Sequence, residues 1–483
     1  MAAKLRERFS GLRVTIVGAA REGTALARTL ARCGAEVTLS DSKPAERLGE
    51  ALARLEGLPI KLSLGKEQPD DLLDVDVLFL SPGVPPFAPI VGQARERGLP
   101  ISSEPRLCTQ ILREMGVPVV GITGSSGKST TTALTGRMLA AAGMDVWVGG
   151  NIGQPLIEHL LDRHLPDVAV LELSSFQLEL FSPDYQGPTV EDARSQASRV
   201  IDLGGWSPNV AAVTNITPNH LDRHPSMADY VRCKQHILAF QAANDWAVLN
   251  SDDPTVRDLA RGAGREVSFS LEGPVELGAF ASDDDLLLRW DREERLGSVT
   301  ELRLRGRHNV ANVLTASCCA LAAGAPLQAI REAAVSFEGV PHRLETVRNW
   351  RGVQWVNDSI ATSPERAIAA MSAYDEPLVL LAGGRDKHLP WERWAELATE
   401  RTRVVIAFGE LRPIVEEAVA GRSSVVLRQV ETLAEAVALA AELARPGQVV
   451  LLSPGGTSFD AYVDFEERGV AFRELVNALG TES

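Results

Sequence analysis

Short apolar runs alternate with helix-like stretches from one end of this chain to the other, and most runs close on a glycine- or proline-containing turn. Strands joined by helical crossovers pair in parallel and are covered on both faces, so the chain belongs to the α/β class. The first set opens with LRVTIVG (12–18), a helix-like TALARTLARCG and AEVTLSD (35–41), then VDVLFLSPGVPP (75–86). Near residue 116 the pattern restarts with VPVVGITG and STTTALTGRMLAAAG, followed by VAVLEL (168–173), VAAVTNI (210–216) and WAVLN (246–250). A third set follows GVPHRLE (339–345): VQWVND (353–358), LVLLAGG (378–384), RVVIAFG (403–409) and QVVLLSPGG (448–456). A chain of 483 residues exceeds one ordinary core. The glycine-rich breaks near 115 and 339 therefore predict three domains: 1–114, 115–338 and 339–483. The first and last read as Rossmann-like, and the central one as a P-loop ATPase-like parallel sheet. The polar stretch 182–208, with turn formers at both ends, reads as an inserted surface loop or small helix.

Composition mainly excludes. A formal net charge of -15 disfavours nucleic acid and anionic membrane as partners, although a local lysine or helix N-terminus still binds small anions. The five cysteines show no CxxC spacing, so they read as reduced core thiols rather than a disulfide framework or zinc site. MAAKLRERFSGLRV carries no signal-peptide h-region, and no apolar run is long enough to span a bilayer. A cytoplasmic protein is expected.

The most specific motif is TGSSGKSTTT (123–132), between an expected strand and an expected helix. Gly124, Ser125, Ser126, Gly127, Lys128, Ser129 and Thr130 make a loop whose backbone amides face phosphates at the positive end of a helix. Lys128 neutralises β/γ-phosphate charge there and Ser129 holds Mg²⁺. Ile122 stands where the strict motif has its first glycine.

GAAREG (18–23) with Asp41 resembles a dinucleotide turn, but Ala20 replaces the middle glycine. A nicotinamide site, another nucleotide or phosphate group, and a purely structural turn all stay open there. Glu172 in ELSSFQLE closes an expected strand, where a carboxylate holds metal or is merely solvated. His220 and Asp222 in NITPNHLDRHP follow another strand. Lys234 in KQHILAF is by itself an ordinary helical lysine, and Asn309 and Asn312 in GRHNVANV share a helix face or cap it.

Taken together, TGSSGKSTTT, GGNIG (149–153), LELSSFQLE, NITPNHLDRHP, LNSDDP (249–254), GRHNVANV, GVPHRLE, NDSIATSP (357–364), GGRDK (383–387) and LSPGGTSFD (452–460) resemble, in order and place, the Mur ligase family. ELSSFQLE, PHRLE and LSPGGTSFD resemble the branch that joins glutamate to UDP-N-acetylmuramoyl-L-alanine.

The resemblance implies an ATP- and Mg²⁺-dependent amide-forming ligase of peptidoglycan precursor synthesis, working as a monomer through an acyl phosphate. It implies that Arg21, Glu22, Asp41 and Ser42 bind the UDP moiety, and that Asn151, Ser174 and His220 hold the muramoyl-alanine end. Lys128, Ser129, Glu172 and His220 would serve ATP phosphates and Mg²⁺, with Lys234 carbamylated as a further metal ligand. Asn309, Asn312, Arg343 and Asp358 would contact nucleotide. Thr362, Lys387, Ser458 and Phe465 would form the glutamate pocket.

Ile360 departs from the family's usual lysine in NDSK. A related branch that uses L-glutamate also carries NDSI, and another Mur-type amino-acid ligase stays open as well. GGRDK and LSPGGTSFD keep the usual glutamate pattern and favour the D enantiomer. A dehydrogenase on the 18–41 turn, a regulatory P-loop ATPase and a folate- or cyanophycin-type ligase are the competing classes.

Overall fold

The structure is a computed structural model. It describes residues 1–65, 70–186, 200–218, 223–304, 306–387, 389–422 and 425–480. Among the described residues twenty strands form three sheets. The first runs, in spatial order, Ile60–Leu64, Glu36–Asp41, Arg13–Val17, Val77–Leu80 and Ile101–Ser102, all parallel. The second has nine strands: Glu293–Ser298, Asp285–Arg289, Gly278–Ser282, Arg265–Ser270, Trp246–Asn250, Val210–Val213, Val119–Thr123, Val168–Glu172 and Val146–Gly150. Only Asp285–Arg289 pairs antiparallel, with both of its neighbours. The third runs Glu345–Trp350, Val353–Asn357, Val449–Gly455, Leu378–Gly383, Thr402–Phe408 and Val426–Gln429, parallel except for the opening hairpin. The expected α/β class and its three sheets are present.

Burial explains the uninterrupted apolar runs. Val119–Thr123, Val168–Glu172 and Val449–Gly455 are buried at every position because helices cover both faces of their sheets. In the first two sheets, the strand order reverses beside Arg13–Val17 and around Val119–Thr123. The carboxyl ends of strands at such a reversal are where α/β folds place ligands.

The chain divides into two compact units, Met1–Phe337 and Glu338–Ser483. The first carries two sheets because one apolar core runs through both, from Leu26 and Leu30 past Ile111 and Leu112 to Leu171, Phe181 and Trp206. Arg28 pairs with Glu158 at 2.7 Å and Arg32 with Asp162 at 2.6 Å across the same boundary.

Of the 182–208 stretch, 187–199 lie outside the described residues. Its described ends are no surface excursion. Tyr185, Ile201 and Trp206 are buried, and Gln186 exchanges two hydrogen bonds with Ile101 on the edge strand of the first sheet. The buried Arg106 guanidinium donates to Leu180 O, just before the stretch, and to Gly204 O within it. Polar composition suggested solvent here, but the anchors are backbone carbonyls, which composition does not reveal. Among the described residues no helix is long and apolar enough to cross a membrane.

Candidate active site

The central strand Val119–Thr123 ends in the glycine loop, and the Lys128–Ala141 helix begins directly after it. Two glycines are obligatory. Gly124 has φ +151° and a Cβ there would lie 1.9 Å from Thr214 Oγ1; Gly127 has φ +80° and its Cβ would lie 2.3 Å from Asn312 Oδ1. The loop is fastened to the end of the neighbouring strand. Ser125 N donates to Asn215 O and Ser126 N to Asn215 Oδ1, both at 2.9 Å, and Ser125 Oγ donates to Thr217 O at 2.9 Å. Lys128 folds back over the loop, its Nζ donating to Gly124 O (2.9 Å) and Ser125 O (3.1 Å). Ser129 is buried in the first helical turn and Thr130 half-buried beside it. Asn312 accepts from Thr131 Oγ1 at 3.3 Å and donates to Asn309 Oδ1 at 3.0 Å, which seats the Arg307–Ala322 helix against the phosphate loop.

Lys234 is no solvated helical lysine. It is fully buried, and its Nζ donates to Gly124 O at 2.8 Å, the carbonyl that also accepts from Lys128. Its ammonium lies 4.7 Å from the centre of the Tyr230 ring, one turn earlier on the same helix. Burial first and the Lys128 charge second push the Lys234 pKa well below the usual lysine value, with Cys233 and Glu172 opposing.

Glu172 is buried at the end of its strand. Its Oε1 accepts from Asn151 Nδ2 at 2.7 Å, while its Oε2 is buried with no hydrogen-bond partner among the described residues. An orphaned buried carboxylate oxygen is costly in isolation and is the kind of atom a hard cation satisfies. A Mg²⁺ here would meet the Glu172 carboxylate and the Ser129 hydroxyl, oxygen donors of the kind it takes. Among the described residues no group of three His, Cys, Asp or Glu side chains gathers. His220 and Asp222 lie outside the described residues.

Asp41 works as a turn brace: its Oδ2 accepts from Ala19 N at 2.8 Å and its Oδ1 from Lys43 N at 2.9 Å. Ser42 is exposed beside it. Arg21 and Glu22 open the Arg21–Arg32 helix, yet their polar atoms reach the second sheet: Arg21 bonds Gly150 O and Gly153 O, and Glu22 bonds Gln177. Burial raises the Glu22 carboxyl to about 7. Ser174 caps the short Ser175–Glu179 helix through a reciprocal bond with Gln177.

In the second unit, Asp358 is buried, accepting from Leu344 N at 3.2 Å and Ser453 Oγ at 3.0 Å, and burial raises its carboxyl to about 7. Exposed Arg343 stands between two left-handed residues, His342 (φ +62°) and Leu344 (φ +45°), a strained stretch held by those contacts. Lys387 Nζ donates to Thr362 Oγ1 at 3.1 Å, which brings two of the expected pocket residues together. Ser458 is buried, and Phe465 begins the final helix with its carbonyl accepting from Ser359 Oγ at 2.8 Å.

Four residues were not read from the sequence. Tyr230 had a signal, its i, i+4 spacing to Lys234. Asn215 directly follows a strand, and Gln177 sits three residues past a capping serine. Arg468 had none. Its guanidinium is fully buried, bonding Ser359 Oγ (3.0 Å), Ser359 O (2.9 Å), Thr457 O (3.1 Å) and Gly456 O (3.2 Å), so it ties the NDSIATSP loop to the LSPGGTSFD loop.

Three family descriptions match in chain order: Mur ligase MurD-like, N-terminal domain over residues 12–103; Mur ligase middle domain over 189–320; and Mur ligase, glutamate ligase domain over 342–456. The UDP-N-acetylmuramoylalanine–D-glutamate ligase of Symbiobacterium thermophilum is 44% identical over 97% of this chain and 98% of its own length. The chain belongs to the Mur ligase family. The enzyme of the same name from Geobacter metallireducens is 37% identical to this Mur ligase, over 98% and 99% of the two chains. Among solved structures, its fold is similar to the UDP-N-acetylmuramate–alanine ligase MurC of Thermotoga maritima (TM-score 0.53, 18% identity, 97% and 99% coverage). It is similar as well to the UDP-N-acetylmuramoylalanyl-D-glutamyl-2,6-diaminopimelate–D-alanyl-D-alanyl ligase of Acinetobacter baumannii (TM-score 0.53, 15% identity, 99% and 98% coverage).

In its first unit this Mur ligase thus brings Lys128, Ser129, Glu172, Lys234, Asn309 and Asn312 around one glycine loop. Lys128 and Lys234 share one loop carbonyl, and the strand ending in Glu172 pairs with the strand that leads into that loop.

Proposed function

We propose that this Mur ligase joins D-glutamate to UDP-N-acetylmuramoyl-L-alanine at the expense of ATP, in peptidoglycan precursor synthesis. The observation that carries the reading is the full-length match to D-glutamate ligases, on a chain whose phosphate loop carries the Lys128–Gly124–Lys234 arrangement. The UDP end lies at the Gly18–Ala20 turn with Asp41 and Ser42, and the N-terminus of the Arg21–Arg32 helix faces its phosphates. Asn151, Ser174 and His220 hold the muramoyl-alanine end. The glycine loop, with Asn309 and Asn312, takes ATP, and the family resemblance makes Arg343 and Asp358 nucleotide contacts too. Lys387, Thr362, Ser458 and Phe465 take the incoming glutamate, Lys387 as partner of a carboxylate.

The acceptor carboxylate attacks the γ-phosphorus and ADP leaves, forming an acyl phosphate. The glutamate amine then adds to that carbonyl, and inorganic phosphate departs to leave the amide. Lys128 follows the charge that develops on the transferred phosphoryl group, because exchanging loop carbonyls for phosphate oxygens keeps its donors satisfied. Ser129, Glu172, His220 and a Lys234 carbamate would hold Mg²⁺, which would supply further neutralisation of phosphate charge. Lys234 suits that conversion: burial lowers its pKa and so favours the neutral amine that attacks CO₂, and the product is an anion. Proton NMR-detected ¹³CO₂ labelling of the native protein, absent in Lys234→Arg, tests it.

The reading includes domains of 1–114, 115–338 and 339–483 in a cytoplasmic monomer without nucleic-acid or membrane partners. The deciding experiment supplies purified protein with ATP, Mg²⁺, UDP-N-acetylmuramoyl-L-alanine and each glutamate enantiomer, following phosphate release and product mass. Amide product with D-glutamate alone is expected. Phosphate release that ignores acceptor and glutamate would sink the reading.

A further inference from the structure

Two consecutive side chains of the first domain grip the two loops that bracket Glu172. Arg21 Nη1 donates to Gly153 O at 2.7 Å and its Nη2 to Gly150 O at 3.2 Å. Between those carbonyls sits Asn151, whose Nδ2 donates to Glu172 Oε1 at 2.7 Å and whose backbone N donates to Glu172 O at 2.9 Å. On the other side, Glu22 Oε1 accepts from Gln177 Nε2 at 2.7 Å. Gln177 Oε1 in turn accepts from Ser174 N at 2.8 Å and from Ser174 Oγ at 3.0 Å, fixing the chain two residues beyond Glu172. Glu22 and Gln177 are both buried, so this relay is not exchanged for water. Arg21 and Glu22 are also the first two residues of the helix that follows the Gly18–Ala20 turn, braced by Asp41.

We infer that Arg21 and Glu22 are positioning residues that hold Glu172 in register for phosphoryl transfer and tie that register to occupancy of the Gly18–Ala20 turn. The inference rests on the reading that the first domain takes the UDP end of the acceptor. A diphosphate drawn to the amides of this turn bears on the helix start, and the helix start carries both side chains. Arg21 then moves the Asn151 loop and Glu22 moves the Ser174 loop as one body. Phosphoryl transfer is sensitive to sub-ångström placement of its carboxylates, so the acceptor prepares the site that will activate it.

The probe is uridine diphosphate alone, read by amide hydrogen exchange in the full-length protein without turnover. In the native protein it is expected to slow exchange in peptides covering 18–42, 149–153 and 172–177. In the Arg21→Ala/Glu22→Ala double variant the slowing is confined to 18–42. In turnover the double variant loses on the order of 10-fold or more in kcat while its glutamate KM stays unchanged. Glu22→Gln, whose amide oxygen replaces Oε1 as acceptor, restores most of the rate in the single-site comparison with Glu22→Ala.

Slowing at 18–42 without change at 149–153 and 172–177 in the native protein overturns the inference and leaves the UDP reading standing. Absence of slowing at 18–42 overturns both, while the ligation assay still judges the overall reaction. A double variant that loses rate only in proportion to a lowered melting temperature reduces the two side chains to domain adhesion and overturns it as well.

Discussion

Replacing Arg468 by methionine should loosen the second unit by about 3 kcal/mol. The guanidinium is wholly buried and donates four hydrogen bonds, to Ser359 Oγ, Ser359 O, Gly456 O and Thr457 O. Bonds from a charged donor contribute about 1.5 kcal/mol or more each, so their loss costs about 6 kcal/mol; Ser359 O and Gly456 O lose their donor inside the protein, while Thr457 O keeps Arg385 N at 2.9 Å. Against this, methionine removes a buried charge. Burial pushes the Arg468 guanidinium down to about 10, which puts the cost of keeping it charged at about 3 kcal/mol. The loss exceeds the gain because methionine fills the volume but offers no donor. Native-state amide exchange in increasing denaturant, followed in peptides spanning the Val353–Asn357 and Val449–Gly455 strands, measures the change directly. A drop in opening free energy below about 1 kcal/mol would refute the reasoning, since it would mean the freed carbonyls find other donors. Arg468→Lys should fall between, keeping charge without the planar fork.

Gly127→Ala should weaken ATP binding about 10- to 100-fold, because a left-handed alanine costs about 1 kcal/mol and its Cβ displaces Asn312 from Thr131. Isothermal titration with a non-hydrolysable ATP analogue checks it, and near-native affinity would show that the loop relaxes freely. Lys387→Ala should raise the glutamate KM at least 10-fold and leave the ATP KM alone; equal effects on both would remove Lys387 from the amino-acid pocket. Burial raises the carboxyl pKa of Glu22 to about 7 and of Glu104 to about 8, the latter helped by Glu22 itself. A carboxyl raised on folding stabilises fully below its ordinary value of 4.5, and that stability is lost as pH climbs through the raised value. The first unit should therefore melt lower at pH 9 than at pH 6. Glu104→Gln, which keeps an acceptor for Ile157 N, should flatten that fall; a melting temperature that rises with pH in both proteins would contradict it.

Local chemistry was readable wherever a function depends on residues close together in the chain. TGSSGKSTTT announced a strand, a tight loop and a helix, and these elements lie where expected because two glycines and a helix start specify the turn almost alone. The uninterrupted apolar runs likewise marked parallel strands buried on both faces. What the sequence by itself could not decide is where charged side chains end. Lys234 reads as a solvated helical lysine, and only the packing of its helix against the glycine loop buries it beside Lys128. Arg21 and Glu22 read as nucleotide contacts, yet they bond carbonyl and amide groups 129 to 155 residues further along. Arg468 carries no local mark at all, because its partners are backbone carbonyls on loops from distant segments. Periodicity and turn chemistry act over a few residues and are written in order along the chain. The fate of a buried charge depends on which distant backbone atoms are brought to meet it, and only the tertiary fold determines that.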